Sequence, residues 1–247
     1  MKLTNNTVLI TGGGSGIGRG LAESLHRSGN TVIIAGRRLD VLQTVADANP
    51  GMEYLRLDLT DPASVTDLAA KVTRRHPELN VLINNAGVMR NENLLAAEGA
   101  ATEAALFMVG TNLLGPIRLT TAVLPTLLAR PRAALVNVTS ALAFVPKAHA
   151  PTYSATKAAL HSYTESLRHQ LRDTSVAVIE IIPPQVETDM VDGQPSSANL
   201  MPLDSFVAES VSLLQTGATE IVVEAAKRVR FAAPDGRYDE MFGLVNR

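Results

Sequence analysis

Along the first three quarters of the chain, short β-branched runs alternate with longer stretches whose apolar positions recur at helical spacing. The runs fall at residues 7–10, 31–35, 53–58, 81–84, 134–139, 177–182 and 220–223. Most lack an alternating polar face, which is how strands buried on both sides of a parallel sheet read. Helical patterning covers 17–28, 63–75, 102–128 and 152–172. Thr60, Asp61 and Pro62 precede the second of these, a capping residue followed by proline at the first helical position. Repeated strand–helix–strand units with short links predict an α/β fold, a doubly wound parallel sheet with helices on both faces. No Pro/Gly/Ser-rich linker, internal repeat or low-complexity tract divides the chain, so 1–247 reads as one domain. Residues 187–204 break the rhythm with Gly193, Pro195, Ser196, Ser197 and Pro202. They predict an irregular excursion past a strand end, where open α/β sheets bind ligands.

Composition narrows the functional classes. With 247 residues, 46% hydrophobic and 19% charged, the chain can bury a sizeable core. Aromatics are 4% with no Trp, so that core is mainly aliphatic. The net charge is -2 and the basic cluster 227–230 is short and interrupted by Val229, which argues against nucleic-acid or membrane partners. Absence of cysteine excludes disulfides, thiol nucleophiles and thiolate metal sites, and is compatible with a reducing compartment. No signal-peptide pattern is present, and no apolar run approaches the ~20 residues that span a bilayer. A cytoplasmic protein is the expectation. The 5 histidines show no metal-ligand spacing, and no metal is expected.

The first strand runs into Thr11-Gly12-Gly13-Gly14-Ser15-Gly16-Ile17-Gly18, and a helix follows. Glycines let a backbone turn tightly against a pyrophosphate, whose charge is met by helix N-terminal N–H groups. The key glycines Gly12, Gly16 and Gly18 stand as G-x-x-x-G-x-G, not G-x-G-x-x-G. A flexible glycine turn is the plainer alternative; the flanking strand and helix favour a nucleotide. The next strand ends in Gly36-Arg37-Arg38, where an NAD enzyme carries a carboxylate for the ribose 2′-OH. Arg37 can meet a 2′-phosphate instead, so NADP(H) is favoured over NAD(H), unless both arginines are simply solvated at a helix start.

Ser140 ends the fifth run, and Tyr153 and Lys157 stand one turn apart on the helix after it. They share a helix face, so the ammonium can lie beside the phenol. A neighbouring cation moves a phenol, with its ordinary pKa near 10, toward exchanging a proton near neutrality. Ser140 can donate to a substrate oxygen as charge develops on it. By itself Y-x-x-x-K is a weak signal, and a surface Tyr beside a solvated Lys would give it too.

Its company is more telling. Thr11-Gly12-x-x-x-Gly16-x-Gly18, Asn84-Asn85-Ala86-Gly87, Asn112, Ser140 and Tyr153-x-x-x-Lys157 occur in the order and approximate spacing of the short-chain dehydrogenase/reductase family, and the resemblance runs from residue 8 to about 188. It implies a Rossmann-type sheet of seven strands and a catalytic tetrad of Asn112, Ser140, Tyr153 and Lys157. It further implies that Asn112 holds a helix kink and a water, and that Lys157 also binds the nicotinamide ribose. Asn85, Ala86 and Gly87 would lie against the adenosine ribose, Asp58 and Leu59 against adenine, and Ile182, Pro183, Val186 and Thr188 beside nicotinamide. Each has a plainer alternative: a strand-end turn at 84–87, a solvated polar position at Asn112, a helix cap at Asp58. The family's Pro-Gly is Pro183-Pro184 here, so the turn expected beside nicotinamide lacks an N–H donor at 184 and differs from the family's. The usual Val-Asp-Gly-Gly near the C-terminus is replaced by a tail ending Phe242-Gly243-Leu244-Val245-Asn246. That tail and the opening resemble a bacterial subgroup named after the lipoteichoic-acid D-alanylation operon. Family tetramers pack this end across one axis, so a homodimer through the two long helices is expected before a homotetramer.

Substrate-facing candidates are Met89, Leu142, Phe144, Val145, His149 and Met190. Mostly apolar, they suggest an uncharged ketone, aldehyde or secondary alcohol, although His149 serves equally as a surface residue at a helix start. A second reading is a non-catalytic NADP(H)-binding regulator of the same fold, which should have damaged the Tyr/Lys pair. A serine hydrolase needs G-x-S-x-G, and Ile17 takes the place of the second glycine around Ser15.

Overall fold

The computed structural model describes residues 2–93, 95, 100–188 and 200–246. Strands β1 (Thr7–Thr11), β2 (Thr31–Gly36), β3 (Glu53–Arg56), β4 (Val81–Asn84), β5 (Ala133–Val138), β6 (Val176–Ile182) and β7 (Glu220–Val222) form one parallel sheet. Their order is β3-β2-β1-β4-β5-β6-β7, the expected doubly wound arrangement. Alternate side chains of each strand enter opposite layers. Val8, Ile10, Val32, Ile34, Val81 and Ile83 pack with α1 (Gly16–Arg27), α2 (Leu39–Asp47) and α7 (Leu203–Gln215). Leu9, Ile33, Leu82 and Leu135 pack with α3 (Pro62–Arg75), α5 (Gly115–Leu128) and α6 (Pro151–Gln170). Both faces are covered, so the strands need no polar alternation.

Local chemistry sets the boundaries. Asp61 caps α3 by accepting from Ala63 N at 2.9 Å, a contact worth about 1 kcal/mol. The third strand stops short of its expected end because Asp58 Oδ1 accepts from Thr60 N at 3.0 Å and Thr60 Oγ at 2.7 Å, turning the chain.

The expected single helix over 102–128 is broken into three. α4 (Ala100–Val109) passes into a π-helical turn, Gly110–Leu114, before α5. Pro116 lacks an N–H, which removes the α-helical donor of the Asn112 carbonyl. Gly115 N–H bonds instead to the Gly110 carbonyl, the i→i+5 pattern of a π-bulge. Within Thr102–Leu128 an 18-residue stretch reaches a mean hydropathy of 1.2, so the run is long and apolar enough by length and composition to reach across a bilayer. That departs from the expectation that no run approaches this length. Its Leu119, Val123 and Leu127 are buried in the layer beside the sheet, which accounts for much of the apolarity.

α7 begins at Leu203, one residue before the expected end of the excursion at 204, and residues 189–199 of that expected excursion lie outside the described residues. An isolated parallel bridge between Val186 and Met201 ties its two ends together. After β7, α8 (Glu224–Arg230) and α9 (Tyr238–Val245) carry the chain back to the loop after β5. Asn246 Nδ2 donates to the Pro146 carbonyl at 3.1 Å and its Oδ1 accepts from Ala148 N.

Candidate active site

The strand order reverses between β1 and β4, and the candidate residues gather at the carboxyl ends around that point, where doubly wound sheets open a crevice. Gly12 (φ +70°) and Gly16 (φ +52°) occupy the left-handed region that favours glycine. At Gly18 a Cβ would stand 2.3 Å from the Gly12 carbonyl oxygen and 2.3 Å from Asn85 Nδ2. Only a bare backbone lets α1 start this close to the end of β4. Thr11 Oγ1 accepts from Asn85 N and Ala86 N, both at 3.0 Å, joining the two loops. Ser15 precedes α1 without making a side-chain cap, which leaves the first-turn N–H groups facing outward for an anion, while Ile17 packs inward on the core. The Thr188 methyl lies 3.2 Å from a Cβ position on Gly16, so the segment after β6 meets the glycine loop. This bare, donor-rich cradle fits a dinucleotide pyrophosphate.

At the end of β2, Arg37 is exposed and its guanidinium lies 5.1 Å from the Phe107 ring centroid. Arg90 stands over the same ring at 4.7 Å. Arg38 Nη2 donates to Ser15 Oγ at 3.3 Å, linking this corner to the glycine loop. The hydrogen bonds from Thr60 hold the Asp58 carboxyl below its ordinary value against an opposing effect of burial, and Arg37 and Arg56 add to the lowering. Leu59 is buried against Gly115, where a Cβ would come within 2.6 Å of Leu59 Cβ. Two nearby arginines and the absence of a carboxylate at position 36 or 37 make the corner cationic.

Across the crevice, Tyr153 and Lys157 on α6 are both buried, at 5% and 3% exposure. Lys157 Nζ donates to the Val138 carbonyl at 2.8 Å and lies 5.7 Å from the Tyr153 ring centroid. Burial pushes the phenol up to about 12, with a hydrogen bond from Ser140 pulling the other way. The ammonium was expected to dominate and lower the phenol; desolvation prevails instead, leaving a neutral acid. Burial also brings Lys157 down to about 8, opposed by the Glu180 carboxylate. Ser140 Oγ accepts from Leu142 N at 3.1 Å, so its own proton remains for the phenol or a ligand.

Asn112, wholly buried in the π turn, is clamped by Val88. Its Oδ1 accepts from Val88 N at 2.8 Å, and its Nδ2 donates to the Val88 carbonyl at 2.9 Å and to Thr156 Oγ1 at 3.2 Å. A Cβ on Gly87 would lie 3.4 Å from Lys157 Nζ and 3.5 Å from Asn112 Oδ1, so these groups converge on one point. Pro183 is buried at the end of β6, and its carbonyl accepts from Ala141 N at 2.8 Å. The Pro183-Pro184 turn therefore keeps the chain beside Ser140 and still delivers Val186 and Thr188 to the crevice.

Leu142 joins Met108, Ala150, Val88 and Met89 around the Tyr153 ring. Phe144 turns elsewhere, edge-on to His161 at 4.7 Å between centroids and under Arg230 at 4.2 Å. Val145 packs with Ala232 and Met241 at the C-terminal helices. His149 is exposed, its carbonyl accepting from Glu92 N at 2.8 Å, and Met190 lies outside the described residues. Sequence reasoning missed Glu92, which caps the start of α6 by accepting from Thr152 N at 2.9 Å and Thr152 Oγ1 at 2.7 Å. It also missed Thr156, and the buried Glu180 with His161; these partners are distant in sequence and carry no local signal. Pro116, four residues after Asn112, was the available sign of the π turn.

The short chain dehydrogenase family model matches residues 6–199. The chain belongs to that family, and it is an NAD(P)-dependent dehydrogenase/reductase. A Bacillus subtilis (strain 168) protein named Uncharacterized oxidoreductase DltE is 40% identical to it, over 100% of this chain and 98% of its own length. A short chain dehydrogenase from Burkholderia cenocepacia J2315 in complex with NADP is 27% identical with TM-score 0.84, covering 99% of each chain. A short chain dehydrogenase/reductase from Burkholderia phymatum in complex with NAD shares the fold, at 21% identity and TM-score 0.82 over 100% of this chain and 97% of its own.

Proposed function

We propose that this chain is an NADP(H)-preferring oxidoreductase acting between a carbonyl and its secondary or primary alcohol, with Tyr153 as proton-transferring residue. The carrying observation is the convergence of Ser140, Tyr153, Lys157 and Asn112 opposite a glycine cradle whose adenosine corner is cationic. Bound nicotinamide supplies hydride to the carbonyl carbon or takes it from the alcohol. The chain's own groups manage the proton. In reduction the neutral Tyr153 phenol gives its proton to the substrate oxygen while Ser140 donates a hydrogen bond to the same oxygen. Lys157 then favours the phenolate left behind and orients the ribose. The Asn112 carbonyl, relieved of its helical donor by Pro116, accepts a water through which the phenolate regains a proton from solvent. Arg37 meets the 2′-phosphate; Asp58 and Leu59 border adenine, Asn85 to Gly87 the adenosine ribose, and Pro183, Val186 and Thr188 the nicotinamide.

Leu142 and Met89 beside Tyr153 favour an uncharged, partly hydrophobic substrate. Half-exposed and exposed leucines on the central helices, Leu106 and Leu114, suit a homodimer. A cytoplasmic location fits the absence of cysteine. The intact Tyr153/Lys157 pair gives the regulator reading no support. The test is a thermal-shift titration with NADPH and NADH in parallel, since ligand bound to the folded state raises the melting temperature with concentration over Kd. A larger shift with NADPH upholds the cofactor choice; no shift with either defeats it.

A further inference from the structure

The face of the sheet beneath α5 and α6 carries a polar row one residue below the crevice. Asn84, Asn137 and Glu180 are neighbours in register across β4, β5 and β6. Helix hydroxyls satisfy the amides: Thr120 accepts from Asn84 at 3.0 Å, and Thr164 accepts from Asn137 at 2.8 Å. The third position holds a carboxylate, wholly buried, where an amide would complete the series. Its partners are Thr139 Oγ1, donating at 2.6 Å, and His161 Nδ1, at 2.9 Å.

Each partner leads to the reaction centre or to solvent. Thr139 lies between Val138, whose carbonyl accepts from Lys157, and Ser140. His161 stands one helical turn after Lys157 on the same face of α6. Its other nitrogen faces Glu165 at 3.6 Å, on the exposed side of the helix. Among the described residues the buried Lys157 ammonium donates to the Val138 carbonyl, and a buried charge is costly unless an opposite charge stands nearby.

We propose that Glu180, backed by His161, is a positioning pair for Lys157: the buried carboxylate keeps the lysine cationic and anchors Thr139 so that the Ser140 end of β5 stays in place. The inference rests on the proposed function for its catalytic meaning, but its electrostatic core concerns the free protein. The charged groups facing the pair are few among the described residues. α6 contributes Lys157 and Glu165, and α8 contributes Arg230, itself paired with Glu220 of β7 at 3.0 Å. β5 offers the Thr139 hydroxyl and, in register with Glu180, the Asn137 amide, neither of them charged. Burial alone draws Lys157 downward, and Glu180 is the charge that resists it. A carboxylate is not needed to satisfy Thr139, which a glutamine could do equally well. The charge is what the lysine uses.

The chain has five lysines, so Lys157 can be followed by NMR of lysine labelled at Cε, its signal assigned by loss in Lys157→Met. In the unliganded wild type its titration midpoint should lie near 8. Glu180→Gln should lower it by about one unit or more, the effect of removing a near opposite charge. Thr139→Val, which loosens the same contact but keeps the charge, should not lower it. If Glu180→Gln does not fold, Glu180→Leu with His161→Leu replaces the whole pair by apolar groups, a change that often preserves stability, and its midpoint should fall below that of His161→Leu alone, which removes the imidazole but keeps the carboxylate. An unmoved midpoint in the folded variant, or an equal fall in Thr139→Val, overturns the proposal. With a reducible carbonyl substrate and NADPH, the alkaline limb of kcat/KM should follow the same shift. A midpoint that moves in a protein without turnover would leave the electrostatic pair standing and defeat the oxidoreductase reading of this site.

Discussion

The rim of the crevice at β1 and β2 is shaped by backbone, whereas the rim at β5 and β6 is shaped by buried side chains. On the first side Gly12, Gly16 and Gly18 bring α1 against the end of β4, and their missing Cβ atoms are the operative feature. On the second, Lys157 is held by the Val138 carbonyl of β5, Asn112 of the π turn ties to Thr156 between Tyr153 and Lys157, and desolvation dominates the proton affinities of Tyr153 and Lys157. A backbone cradle tolerates little in its core positions but is insensitive to pH. A side-chain cluster is the reverse: its chemistry depends on which charges share the burial.

The largest effect that separates the two rims should come from Tyr153→Phe. Removing the proton donor should lower kcat by roughly 100- to 10,000-fold, while the NADPH-induced thermal shift is retained. A variant that kept full turnover would show that another group delivers the proton. Arg37→Ala probes the cationic corner. Loss of a charge-assisted contact should weaken NADPH by about 1.5–3 kcal/mol and NADH hardly at all, read by titration of each cofactor. Equal losses would remove Arg37 from 2′-phosphate recognition.

Gly18→Ala addresses the backbone rim itself. The added methyl would have to displace the Gly12 carbonyl or Asn85. Destabilisation of about 1–3 kcal/mol in chemical denaturation, with weakened binding of both cofactors alike, is expected from such overpacking. Unchanged stability and affinity would mean that the loop opens without resistance, and the close approach would lose its significance.

The same contrast explains what could be read in advance. The cradle was legible because its information is local: glycines at fixed offsets between a strand and a helix, then Arg37 at the next strand end. The sheet was legible because strands buried on both faces are continuously apolar. Ser140, Tyr153 and Lys157 could be named, but the state of the phenol could not, since burial overrides the ammonium and only packing reveals burial. Phe144 looked substrate-facing by its position after β5, yet its ring turns to His161 and Arg230, residues brought there by α6 and α8. Glu180 was hidden for the same reason: within a strand pattern it is a lone polar residue, and its partners are 19 residues back at His161 and 41 back at Thr139.

The smallest expected effect concerns that hidden partnership and stability. The hydrogen bond to Glu180 raises His161 above its ordinary 6.5, aided by the charges of Glu180 and Glu165 and opposed by burial and Arg230. The folded protein therefore binds the imidazole proton more tightly than the unfolded chain does. Stabilisation from this protonation is fully present below pH 6.5 and fades as pH rises through the higher folded value. His161→Gln should accordingly be less stable than the wild type at acid pH, with the difference narrowing on the alkaline side. Paired denaturant melts of the free protein across that window measure it directly. A gap that stays constant would reduce His161 to a neutral hydrogen-bond partner. A gap that widens with pH would reverse the sign and place the stabilising form on the unprotonated ring. Neither result touches the glycine rim, because no titratable group takes part in the close approach of Gly12, Gly18 and Asn85 that builds it.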